Sequence, residues 1–223
     1  MIRFIFNFIL ILGVGYVITR VIDYYLSINS GGGHTQKDIA EMKSKLALEI
    51  ASLVPMGLDE MDQLSLNSAN KSDSQGITKL RTGVFKSIYN EPMLAYAFKE
   101  YKYPADKSLI LVCTERDDFI YMTNGVNTKV YCNSEFLGNI DTKGRLHDPD
   151  VVGPVGKIEV GNILKVRPVT VKGRVVGEVI NTVGTESPNP RVYQFIENMS
   201  KDELIVFQAL SFLSIVEEKV YVA

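Results

Sequence analysis

The sequence has 223 residues, no tryptophan, two cysteines and two histidines. Two thiols do not make a disulfide scaffold. Cys113 and Cys132 lack C-x-x-C spacing, and His34 and His147 stand alone, so they do not assemble a zinc site. We expect the two cysteines to be small buried apolar residues in neighbouring strands. A single disulfide is the alternative in an oxidising compartment.

The chain also lacks an excess of charge of one sign. It carries 24 basic and 26 acidic residues, which leaves a formal net charge of −2. No summed positive field would attract phosphate groups, so nucleic acid is excluded as the main partner. Ten Phe and eleven Tyr exclude disorder of the whole chain, and eight Pro with 17 Gly exclude a collagen-like composition.

The usual catalytic motifs are missing as well. The sequence contains no G-x-x-x-x-G-K-[ST], no H-E-x-x-H, no G-x-S-x-G and no G-x-G-x-x-G. Ser68 and Lys71 form an S-x-x-K pattern, but it is short and stands in a polar stretch. Asp141, Asp148 and Asp150 flank a turn, where local backbone bonding explains aspartate without a cation. The sequence therefore predicts no catalytic residue, no cofactor and no metal ion.

One long hydrophobic run is present, at residues 2–26 (IRFIFNFILILGVGYVITRVIDYYL). It is long enough to cross a bilayer core of about 30 Å, and no A-x-A-like cleavage site follows it. We therefore predict a single-pass signal anchor in the lipid bilayer; a cleaved signal peptide is the alternative. Arg20, Tyr24 and Tyr25 are predicted at the membrane interface. The flanking basic residues slightly favour the cytoplasmic side for the rest of the chain, and the opposite side is left open.

Residues 27–76 are predicted to be a linker that contains one amphipathic helix, residues 36–54. A stripe of apolar residues recurs there at steps of three and four, which is the helical period. Its members are Ile39, Met42, Leu46, Ile50 and Leu53. The stripe either docks a membrane protein partner or lies on its own domain. The polar, Ser- and Asn-rich residues 59–76 are predicted to be a second mobile linker.

Residues 77–223 are punctuated like an all-β domain. Short apolar runs alternate with explicit turn dipeptides, of which Asn124-Gly125 and Lys172-Gly173 are examples. Connections this short predict antiparallel pairing of consecutive strands. Residues 92–101 (PMLAYAFKEY) are predicted to form a short helix because Pro92 suits a first helical position; an extended segment is the alternative.

The last segment decides the predicted architecture. Ser200 and Glu203 form a capping box, and Leu204–Val216 follows with ten apolar residues in thirteen. A helix that is apolar nearly all round must be enclosed, and thirteen residues are too few to span a bilayer comfortably. We predict an antiparallel β-barrel or curled sheet around this helix, followed by a short strand at residues 220–222.

Three glycines lie in an apolar-Gly-polar-apolar pattern within the predicted strands. They are Gly138, Gly156 and Gly177, and each predicts a bulge, a bend or the close approach of another element. Together with the Leu204–Val216 helix, they make residues 109–222 resemble the tubby C-terminal-like superfamily, which includes phospholipid scramblase-like and LURP-one-related proteins. The resemblance implies a closed antiparallel barrel around a buried helix.

These features favour a non-enzymatic, membrane-anchored binding protein. Its β-rich domain would engage a lipid headgroup, a membrane surface or a protein partner. The first alternative is a structural subunit of a membrane complex that docks through the amphipathic helix. The second is a hydrolase whose site residues are scattered along the sequence.

Overall fold

The computed structural model describes residues 33–75, 78–101, 107–161, 165–181 and 190–222. The predicted membrane segment 2–26, with Arg20, Tyr24 and Tyr25, lies outside these residues. In the described residues, no helix combines the length and the apolarity that crossing a membrane requires. The sheet and the last helix belong to a compact unit, Lys45–Ala223.

The described helices are α1 (Gly33–Ile50), α2 (Leu58–Met61) and α3 (Lys201–Val222). The described strands are β1 (Leu64–Gln75), β2 (Thr78–Ser87), β3 (Pro92–Tyr101), β4 (Lys107–Cys113), β5 (Asp118–Asn124), β6 (Asn127–Cys132), β7 (Glu135–Ile140), β8 (Arg145–His147), β9 (Pro154–Ile158), β10 (Val166–Val171), β11 (Arg174–Ile180) and β12 (Tyr193–Ile196).

The strands form a single sheet in which each strand pairs antiparallel with the next one along the chain. The first strand also reaches the segment that leads into the last one. Leu66 N donates to Pro190 O over 2.8 Å, and Val192 N donates to Leu64 O over the same distance. This seam brings the sheet into a nearly closed antiparallel barrel, which confirms the predicted mainly-β architecture.

The turns follow from their residues. Asn133-Ser134 and Lys172-Gly173 each have two consecutive positive φ angles, as a two-residue hairpin turn requires. Because every strand reverses direction, the turns after β5, β7, β9 and β11 lie at the same end of the barrel. We call this end the mouth. The chain enters α3 at the opposite end, so the last turn of α3 also lies at the mouth.

Helix α3 fills the interior of the barrel, and its start is fixed by the predicted capping box. Ser200 N donates to Glu203 Oε2 over 2.9 Å, and Glu203 N donates to Ser200 Oγ over 3.3 Å. The side chains that face the strands are almost fully buried: Phe207, Ala209, Leu210, Phe212, Ile215 and Val216. Burial of these apolar side chains is the main way in which α3 stabilises the fold.

Strands from different sides of the barrel contact α3. On β5, Tyr121 donates its hydroxyl to Ala209 O over 2.9 Å. On β12, Tyr193 donates to Ser211 Oγ over 3.0 Å. On β2, the Arg81 guanidinium donates to Val220 O, near the end of the helix. The tyrosine hydroxyls therefore satisfy buried polar groups where they meet the helix.

The strand glycines explain how closely the sheet approaches the helix. A Cβ on Gly156 would lie 2.6 Å from Val206 Cγ1 and 2.9 Å from Leu210 Cδ1. A Cβ on Gly177 would lie 2.8 Å from Phe207 Cε2. All three distances are shorter than a non-bonded contact between carbon atoms. Gly156 and Gly177 therefore mark the close approach of another element, which is one of the alternatives that their pattern predicted.

The prediction of a mobile linker at residues 59–76 was wrong. Residues 59–61 belong to α2 and Leu64–Gln75 is β1, so the barrel begins at Leu64 and not at residue 77. Apolar alternation in β1 is limited to Leu64 and Leu66, and the polar remainder of the strand is held by its backbone pairing with β2. Its register with β2 runs from Leu64–Ser87 to Gln75–Thr78, apart from one shift near its start.

Two further local predictions were wrong. Residues 92–101 form β3 and not a helix, so the extended alternative was correct. The run from Met93 to Lys99 is buried at every position, and such a continuous run hides the period of a strand. Residues 220–222 continue α3 and do not return as a strand, because Val220 is buried and Tyr221 packs edge-on against Phe98.

Candidate ligand cavity at the barrel mouth

A cavity of about 650 Å³ opens at the mouth of the barrel, above the last turns of α3. A volume of this size falls in the range of small-molecule sites. Its walls combine apolar and polar side chains from five strands and from the helix. The lining includes Thr123, Val126, Thr128, Asp141, Ile158, Val160, Arg167, Leu210, Leu213, Ser214, Glu217, Glu218 and Tyr221.

Strand alternation places these side chains in the cavity. Arg167 lies two residues before Val169 on β10, and Val169 is fully buried, so both side chains point into the barrel. In the same way, Thr128 shares a face of β6 with the buried Val130. Thr128 pairs with Thr123 across the strands, with 3.0 Å between their Oγ1 atoms.

A buried ion pair crosses the cavity wall. The Arg167 guanidinium bonds the Glu218 carboxylate, and their side chains are only 12% and 7% exposed. Arg167 Nε is buried and has no acceptor among the described residues. Removing either partner of such a pair would leave an uncompensated buried charge, which is strongly unfavourable.

Glu217 lies beside this ion pair on α3. Its carboxylate has no hydrogen bond and no ion pair within the described part of the chain. Burial raises the pKa of Glu217 to about 7, and the nearby Arg167 charge lowers it only in part. The cavity therefore contains a carboxyl group that changes its charge near neutral pH.

Asp141 lines the cavity, but its carboxylate is hydrogen-bonded within its own turn. Its carboxylate accepts hydrogen bonds from Lys143 N, Arg145 N and Arg145 Nε, at 2.8 to 3.0 Å, and lies 3.3 Å from His147 Nε2. Burial acts to raise the pKa of Asp141, but the hydrogen bonds from Arg145, His147 and Lys143 outweigh it and hold the pKa well below its usual range. This network explains the aspartate by backbone bonding, as the sequence suggested.

The rim of the cavity is apolar and exposed. Val126, Val160 and Tyr221 line the opening and are 68%, 55% and 62% exposed. They come from two turns and from the end of α3. Exposed apolar groups around a concave opening are typical of surfaces that meet an apolar ligand.

No protein-family model, no curated protein and no solved structure matches the chain. The superfamily resemblance therefore stays a prediction from the sequence.

The predicted docking stripe lies on α1 and just after it. Met42, Leu46 and Leu53 are buried, whereas Ile39 and Ile50 are partly exposed. Leu46 lines a second, smaller cavity with Gly83 and Pro92 among others, so this residue packs on the barrel. The structure does not bring the stripe to the mouth cavity.

Neither cysteine forms a disulfide, and both are buried. Cys113 ends β4 and Cys132 ends β6, so β5 lies between them and they are not on neighbouring strands. Burial, followed by the nearby Asp117 and Glu135 charges, raises the pKa of Cys132 to about 11. Among the described residues, no group of three or more metal-binding side chains occurs.

Sequence reasoning did not single out Arg167, Glu217 or Glu218 as site residues. Helix α3 continues to Val222, beyond the predicted apolar run that ends at Val216, and this continuation places Glu217 and Glu218 on the wall of the cavity.

We expect replacement of Glu217 to change how stability depends on pH. The folded pKa of about 7 lies above the ordinary value of 4.5, so the protein loses stability as pH rises through this interval. The Glu217→Gln variant has no such loss. Its free energy of unfolding relative to wild type should therefore rise by about 2–3 kcal/mol between pH 5 and pH 8, measured by urea denaturation.

The control for this prediction is Glu159→Gln. Glu159 is a carboxylate near the mouth that pairs with Lys157 and is 44% exposed. Because this carboxylate is exposed, its removal should not reproduce the pH-dependent rise that we expect for Glu217→Gln. A flat difference for Glu217→Gln as well would contradict the assigned pKa.

Proposed function

We propose that the protein is a non-enzymatic, membrane-anchored binding protein whose barrel takes a lipid-like, amphiphilic ligand at its mouth. The observation that carries the proposal is the cavity, in which apolar walls and rim surround a few buried polar groups. An amphiphile matches both parts, since its chain contacts the apolar surface and its polar group meets the charged residues. The membrane anchor is the part of the proposal that comes from the sequence, at residues 2–26.

The shape of the fold supports a site at this place. Barrels commonly hold ligands at their mouths, and here α3 fills the interior below the opening. Leu210, Leu213 and Ile158 give the inner wall its apolar surface. Docking of a partner through the α1 stripe is less favoured, because Leu46 and Leu53 would have to leave buried positions.

Ligand binding can be measured by the fluorescence of a single introduced tryptophan. The chain has no tryptophan, so Tyr221→Trp places a single indole at the rim. We expect decanol to change the tryptophan fluorescence of the full chain, held in an amphipol, in a saturable way. Adding Ser214→Phe, which fills part of the cavity, should weaken binding at least about tenfold, which corresponds to about 1.4 kcal/mol.

The matched control is Val175→Phe in the same reporter background. Val175 is exposed and begins β11, at the end of the barrel opposite the mouth. This variant should bind decanol like the reporter alone. The proposal fails if decanol gives no saturable change, or if the two phenylalanine variants bind equally well.

A further inference from the structure

We propose that the mouth cavity selects ligands with a positively charged nitrogen, and that Glu217 is the group that recognises the charge. This inference rests on the proposed function and names the class of amphiphile that the site takes. Glu217 is singled out because the other charged groups around the cavity already have ion-pair or hydrogen-bond partners.

The other charged groups that line the cavity are paired. Glu218 is bonded by Arg167. Asp141 is bonded by Arg145, with Nη2 to Oδ2 at 2.6 Å, and lies beside His147. Each of these carboxylates is therefore compensated before a ligand enters.

The basic groups near the end of α3 also have acceptors. Arg81 on β2 donates to Val220 O, and Lys219 Nζ donates to Leu66 O on β1 over 3.3 Å. Tyr121 on β5, which interacts electrostatically with Glu217, keeps its hydroxyl on Ala209 O, and burial raises its pKa well above the ordinary value. Arg167 is the basic group whose charge acts on Glu217, but it is bonded to Glu218, so the two glutamates share one arginine.

Glu217 is therefore the lining carboxyl without its own partner among the described residues. Burial is the main reason that the pKa of Glu217 is raised, and the Arg167 charge, which Glu217 shares with Glu218, lowers it only in part. A ligand cation would supply the missing compensation. The last carbonyls of α3 point towards the same end of the barrel, and the partial negative charge of a helix C-terminus also favours a cation there.

The test compares matched amphiphiles in the full-chain Tyr221→Trp reporter. Decyltrimethylammonium, decanol and decanoate share a chain and differ in the charge of the polar group. We expect the cation to bind at least about tenfold more tightly than decanol, and decanoate to bind least well. Decyltrimethylammonium keeps its charge at all pH values, so any change with pH comes from the protein. With a pKa of about 7, Glu217 is about one-tenth ionised at pH 6 and about nine-tenths ionised at pH 8. The affinity for decyltrimethylammonium should therefore increase about tenfold over this range.

The variants locate the effect. Glu217→Gln should remove both the preference for the cation over decanol and the pH dependence. Glu159→Gln, which changes a carboxylate outside the cavity lining, should alter neither. A pH dependence that persists in Glu217→Gln would overturn the assignment to Glu217.

A short-chain phosphatidylcholine provides a second source of the same trimethylammonium group. If it binds with the same dependence on Glu217, the natural source is a lipid headgroup; if only decyltrimethylammonium does, the source is a free amphiphilic amine. Equal binding of the three decyl probes, or tighter binding of decanoate, would overturn the charge selectivity and leave amphiphile binding in place. If no probe changes the fluorescence, the proposed function itself falls.

Discussion

Phe212→Ala should lower the free energy of unfolding by about 3–5 kcal/mol, the cost of emptying a buried phenylalanine position. Phe212 is fully buried on α3, and its ring meets Phe119 of β5 edge-on, with 5.4 Å between the centroids. The barrel wall around the helix cannot collapse into the space, because each strand is held on both sides by its neighbours. Urea denaturation of the full chain, followed by circular dichroism, measures the loss.

Tyr89→Ala is the control for this substitution. Tyr89 is also aromatic, but it is 70% exposed on the turn between β2 and β3. Its removal should cost less than about 1 kcal/mol, as is usual for surface positions. If Phe212→Ala were no more destabilising than Tyr89→Ala, the helix would not be packed inside the barrel.

Gly138→Ala should be almost as damaging, although it adds only one methyl group. Gly138 has a φ of +142°, and a Cβ there would lie 2.2 Å from the backbone oxygen of His147. The pairing of β7 with β6 shifts register beside this residue, so the strand is bulged here. Because a backbone atom stands in the way, the strands must separate, and we expect a loss of about 3 kcal/mol or more.

Gly125→Ala separates the cost of the positive φ angle from the cost of the contact with the His147 backbone. Gly125 also has a positive φ, +64°, but a Cβ there would meet no atom within 4 Å. This variant should lose only about 1–2 kcal/mol, the ordinary cost of a side chain in that conformation. Urea denaturation of both variants measures the difference. Equal losses would mean that the contact with His147 carries no cost.

The sequence allowed the barrel and its central helix to be predicted because several local signals agreed. Turn dipeptides marked consecutive hairpins, the Ser200–Glu203 capping box marked the helix start, and the strand glycines marked a close approach. These signals depend on residues near each other in the chain, where periodicity and turn chemistry are informative. Their agreement is what a sequence that specifies one fold provides.

The features that the sequence did not predict all depend on contacts between residues that are far apart in the chain. Strand β1 has a polar sequence and forms through pairing with β2, so hydrophobic periodicity could not reveal it. Strand β3 is buried on both faces, which removes the alternation that identifies a strand. The cavity depends on the contact between Arg167 and Glu218, which forms only when α3 runs through the barrel, and no local sequence pattern contains both residues.

The order of the elements has a consequence for how the barrel forms. The strands pair with their chain neighbours, so each hairpin can close as soon as it is made, with little loop entropy to overcome. Helix α3, however, follows all of the described strands in the chain. The apolar interior therefore lacks its filling until α3 has been synthesised, and an unfinished sheet exposes surface that is prone to aggregate. We expect the closing of the seam between β1 and the segment before β12 to be coupled to the insertion of α3 as a late, cooperative step of folding.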